Sequence, residues 1–71
     1  MKPVRHIMTP LCPEARELAQ GLGLLCRRYN QHSYELFIAP DAVEAFKALL
    51  KEEMDKGTRR DYKLIQIYEE A

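Results

Sequence analysis

"CPEARELAQGLGLLCRRYNQHS", residues Cys12–Ser33, decides the fold. Ala15, Leu18, Ala19, Leu22, Leu25, Cys26 and Tyr29 recur through it at helical spacing, which read literally makes one helix from Pro13 to Tyr29. Gly21 and Gly23 stand against that, since each glycine costs about 1 kcal/mol in a helix interior. Paired glycines are more usual at a helix end. The preferred reading therefore stops the helix near Gly21–Gly23 and makes "LLCRRYN" a strand. That strand turns at Asn30–Ser33 into a second one, "YELFIA" (Tyr34–Ala39), which is rich in aromatic and β-branched residues and closed by Pro40.

The flanking segments complete the order. "VRHIM" (Val4–Met8) lies between Pro3 and Pro10 as a weaker strand. "PDAVEAFKALLKEEMDKG" reads as a helix with Asp41 as N-cap, Glu44 three residues on, and Gly57 as its stop. Val43, Phe46, Leu49, Leu50 and Met54 form its apolar stripe. "YKLIQIYE" (Tyr62–Glu69) alternates, with Ile65 and Ile67 on one side and Tyr62, Leu64 and Tyr68 on the other. The expected fold is α+β, a two-layer βαββαβ sandwich of ferredoxin-like type, with βαβαβ as the alternative if the first helix runs on. Either order sets two helices on one face of a small sheet and leaves the other face open.

Composition bounds the function. A chain of 71 residues gives one small domain, 1–71. A domain this size buries only about 60% of its unfolded surface, so association with another chain would stabilise it appreciably. Eleven basic and eleven acidic residues cancel to zero net charge, which argues against a dedicated nucleic-acid binder and leaves a local patch as the route to RNA or DNA. No apolar run approaches the roughly 18 residues of a membrane span, and "MKPVRHIM" lacks a signal-peptide core. Two cysteines are too few for a disulfide framework, so a cytoplasmic protein is expected.

Two surfaces emerge as candidates for binding. The open sheet face is expected to carry Tyr62, Leu64 and Tyr68, joined by Tyr34 and Leu36 from a neighbouring strand. Such a tyrosine-lined apolar patch suits a protein partner or a second copy of the chain. The βαββαβ order also gathers three connections at one end of the sheet. Cys12, Arg27, Arg28, His32, Thr58, Arg59 and Arg60 fall there, with the first helix directing its positive end at them. That makes a basic edge suited to an anion. Asp41, Glu44, Glu69 and Glu70 fall at the opposite end.

Cys12 carries the enzymatic alternative. A thiol at a helix N-terminus is activated when its pKa is lowered, and His32 at the same edge would be its catalytic partner. "LCPEA" (Leu11–Ala15) resembles the CPxP site of TusA-like sulfur carriers, in which the cysteine precedes a helix and carries a persulfide. The resemblance covers Cys12 and Pro13; Ala15 stands where the second proline belongs, and the hairpin departs from that family's strand order. "TPLCPEA" is also similar to a single-thiol glutaredoxin-type turn, without a later proline to face the thiol. These likenesses imply a sulfur carrier or redox protein acting through Cys12. His6, Cys12, Cys26 and His32 lack the close ligand pair of a zinc site, so no metal and no cofactor are expected. The leading expectation is a non-enzymatic interaction or regulatory domain, with weak nucleic-acid binding as a further alternative.

Overall fold

The computed structural model describes residues 2–57 and 64–70. The stretch Cys12–Ser33 divides at its glycines. Helix α1 runs Pro13–Gly21, with Pro13 in its first turn, where the missing N–H costs nothing. Beyond Leu22, Gly23 takes φ +80°. Its N–H donates to the Gln20 carbonyl at 3.0 Å, and Leu24 N–H donates to Ala19 at 2.9 Å. These are the paired 5→2 and 6→1 bonds of a Schellman motif, which needs a left-handed residue at the position Gly23 fills.

The two glycines should respond oppositely to alanine. Gly23→Ala is expected to cost about 1–2 kcal/mol, because a Cβ at positive φ meets the following carbonyl. At Gly21 a Cβ would enter open space, so Gly21→Ala is expected to hold or raise stability by a few tenths of a kcal/mol. Thermal melts of the two variants check this; equal shifts would contradict the cap.

Strand β1 (Val4–Thr9) precedes α1, and the hairpin β2 (Leu25–Arg28) and β3 (Tyr34–Ile38) follows it. The Ser33 carbonyl accepts from the N–H groups of Tyr29 and Asn30, while the Asn30 side chain accepts from His32 N–H at 2.8 Å, closing the turn. Helix α2 spans Val43–Lys56, and a last strand, β4, covers Gln66–Glu69. The four strands lie in the order β2-β3-β1-β4, every neighbouring pair antiparallel. The result is an α+β fold of two helices and an open four-stranded antiparallel sheet. Among the described residues no helix is long and apolar enough to cross a membrane.

One side of the sheet is covered by the helices. Met8, Cys26, Tyr34, Leu36 and Ile38 from the strands cluster there with Ala15 and Ala19 of α1 and with Phe46, Leu50 and Met54 of α2. The two alanines, four residues apart, let α1 lie close to the sheet. Ile65 and Ile67 pack against the same core from the β4 side, as the alternation of "YKLIQIYE" predicts.

Three expectations need correction. Tyr34 and Leu36 are not on the open face: they are 7% and 0% exposed and belong to the core beneath the helices. Asp41 is not an N-cap, because Pro40–Ala42 form a 3-10 turn and α2 begins one residue later, capped by Ala42 without a side-chain bond. Leu49 drops out of the buried stripe and stands at its exposed margin.

Candidate functional site

The face away from the helices is assembled by strand alternation. Across β2 and β3, Leu25 pairs with Phe37 and Arg27 with Glu35. Across β3 and β1, Phe37 pairs with Arg5 and Glu35 with Ile7; across β1 and β4, Ile7 pairs with Tyr68 and Thr9 with Gln66. Residues directly opposite in an antiparallel ladder share a side, so these form one contiguous surface. Tyr29, two residues beyond Arg27, extends it.

Charge on this face is arranged around Glu35. Its Oε1 lies 3.7 Å from Arg5 Nε and 3.6 Å from Arg27 Nη2, with the carboxylate-bearing side chain only 14% exposed. Both separations are ion-pair rather than hydrogen-bond distances, and the buried Nε of Arg5 has no hydrogen-bond partner. Half-exposed pairs of this kind contribute about 0.2–1 kcal/mol each, so they orient side chains more than they hold the fold. Each guanidinium also lies over a ring: Arg5 is 5.0 Å from the Tyr29 centroid and Arg27 is 6.0 Å from that of Phe37. In the middle sits Ile7, 1% exposed yet outside the cluster under the helices. Leu25, Tyr29 and Tyr68 stand half exposed on the same face.

Of the residues expected on this face, Tyr68 is there. Leu64 is exposed just ahead of β4. Tyr62 lies outside the described residues. Arg5, Leu25, Tyr29, Glu35 and Phe37 were not anticipated. The available signal was Glu35 itself: in "YELFIA" a lone carboxylate marks the side that cannot lie under helices, and Phe37 shares that side.

The basic edge is brought together in part. The Thr9 hydroxyl donates to the His32 carbonyl at 3.2 Å, so the end of β1 does meet the hairpin turn. Arg28 Nε donates to the Asn30 carbonyl at 3.1 Å and braces that turn. Arg27 is directed to Glu35 on the open face. Thr58, Arg59 and Arg60 lie outside the described residues. Cys12, just ahead of α1, is 2% exposed and part of the core; its Sγ donates to Glu14 Oε2 at 3.2 Å in the first turn of that helix, while His32 is exposed. The second thiol, Cys26, is buried too, and burial pushes its pKa up against the weaker opposing pull of Arg16. His6 is buried, with Nδ1 2.8 Å from the Val4 carbonyl. Among the described residues no group of three His, Cys, Asp or Glu side chains could hold a metal ion.

Compared with protein-family models, with curated proteins and with solved structures, the chain finds no match.

Proposed function

We propose that this chain is a small non-enzymatic interaction domain that pairs with a second copy of itself through the open face of its sheet. The observation that carries the reading is the composition of that face. Leu25, Tyr29, Phe37 and Tyr68 share it with Ile7, with Arg5 over the Tyr29 ring, Arg27 over the Phe37 ring and, among the described residues, no lysine in this group. Aromatic residues and arginine with lysine depleted are the signature of interface centres. A second copy is favoured over a foreign partner by charge: zero net charge removes long-range repulsion between copies. A two-fold contact would also bring each Arg27 within reach of aromatic residues across the interface.

The same reading takes the fold as ferredoxin-like, supported by the β2-β3-β1-β4 order and by the two β-α-β crossovers, each of which spans one intervening antiparallel strand. It places the protein in the cytoplasm, in keeping with two buried cysteines kept as thiols.

Sedimentation velocity tests it. The chain is expected to sediment as a dimer at micromolar concentration, and Leu25→Glu with Tyr68→Glu to yield a monomer with an unchanged circular dichroism spectrum. A monomeric wild type would sink the proposal. Binding of single-stranded RNA by that monomer would assign the arginines and rings to base stacking instead. Loss of pairing in Cys12→Ala with the sheet face intact would move the function to the thiol.

A further inference from the structure

At one end of the sandwich the helices and the sheet leave an opening between them. A hollow of about 290 Å³ lies there, bounded by the end of β3, the loop after α1 and the start of α2. Ile38 and Phe46, which line it, are core side chains only 2% exposed, so the hollow extends to the core. Leu22 and Leu49, which also line it, are 50% and 39% exposed and stand in water. Ala42 and Ala45 leave the space that larger side chains at the start of α2 would fill.

Every lining residue is apolar, and the wall exposes almost no polar atom. Water inside it lacks the two to four polar partners that hold a buried water in place. A charged or hydrogen-bonding group finds no partner there either. The apolar ground is also short. On α2 it runs from Ala45 to Leu49, a rise of about 6 Å, with exposed Asp41 before it and exposed Glu52 after it. A docked helix needs anchors over about two turns, and a protein interface about 800 Å² on each partner. One alkyl chain suits the space better. A methylene group is about as large as a water molecule, roughly 30 Å³, so about ten carbons fill the hollow.

We propose that this hollow binds the aliphatic chain of a free, small amphiphile, up to about ten carbons long, with the polar head left in water. It opens on the helix side of the sheet, so the site is present in a monomer and in a dimer alike.

Methyl-resolved NMR titration of the whole chain with straight-chain alcohols of about six to twelve carbons tests it. Shifts are expected at Leu22, Ile38, Ala45 and Leu49, and not at Ile7 or Leu25 on the sheet face. Affinity should rise about fourfold per added methylene, the equivalent of roughly 0.8 kcal/mol, and level off beyond about ten carbons. Ala45→Phe fills the hollow from an exposed position and is expected to weaken octanol binding at least about tenfold. Lys47→Phe, exposed on α2 outside the lining, should leave it within about twofold. Circular dichroism checks folding, and Leu49→Gln, with an expected loss of about fivefold, serves if Ala45→Phe does not fold. Absence of shifts at the hollow, affinity indifferent to chain length, or equal effects of Ala45→Phe and Lys47→Phe would overturn the proposal. So would co-sedimentation with phosphatidylcholine vesicles in place of alcohol binding, which would assign the hollow to a membrane. None of those results would bear on dimerisation, which sedimentation velocity reads separately.

Discussion

Leu36→Ala is expected to lower the unfolding free energy by about 2–5 kcal/mol, as a fully buried leucine does when truncated to leave a cavity. Leu36 sits at the centre of the sheet, between Cys26 on β2 and His6 on β1, with the helices above it. A chain of 71 residues has a total stability of only about 4–11 kcal/mol. The variant should therefore be half unfolded at a small fraction of the urea that the wild type needs. Leu25→Ala, on the other side of the sheet and exposed, is expected to move the monomer by about 0.5 kcal/mol or less. Urea titrations at a concentration low enough to avoid association measure both. Similar losses at Leu25 and Leu36 would mean that the two sides of the sheet have been exchanged.

Phe46→Ala is expected to cost about 3–5 kcal/mol and to leave the chain largely unfolded at physiological temperature. Phe46 is among the largest fully buried side chains and lies on the inner side of α2, joined in the core by Leu50 and Met54. Its ring also lines an apolar hollow between Leu22 and Leu49. Since the alanine variant can be too unstable to titrate, Phe46→Leu keeps the measurement open. It retains most of the volume and should lose about 1–2 kcal/mol. A Phe46→Ala midpoint close to the wild type's would show that α2 is not held to the sheet through this residue.

Much of the fold was legible because its strongest signals are local. The three- and four-residue recurrence through Val43, Phe46, Leu50 and Met54 specifies α2, and the glycine pair resolves into a C-terminal cap at Gly23. The hairpin follows from that cap. What the sequence hides is the side of β3. "YELFIA" is apolar on both sides, so hydrophobicity does not distinguish Tyr34 and Leu36 from Phe37, and only the charge of Glu35 does. Asp41 misleads for a local reason: Pro40 fixes a backbone angle that suits the tighter 3-10 turn, and the helix starts after it. The inward setting of Cys12 was readable but easily missed. Cys12, Ala15 and Ala19 share one helix side, so a helix that buries its alanines carries the cysteine in with them.

The position of β2 has a consequence for solubility. It is a border strand, and among the described residues no further strand pairs with its outer side. A bare border is a template on which a second molecule can continue the sheet, and repetition of that step builds a fibril. Here the border is only four residues long and ends in Arg27 and Arg28, which point to opposite sides. Two copies joined border to border would crowd four guanidinium groups into that short ladder, two from each chain. Paired arginines at this border would thus oppose fibrillar growth, leaving the proposed pairing of two copies to the broad side of the sheet.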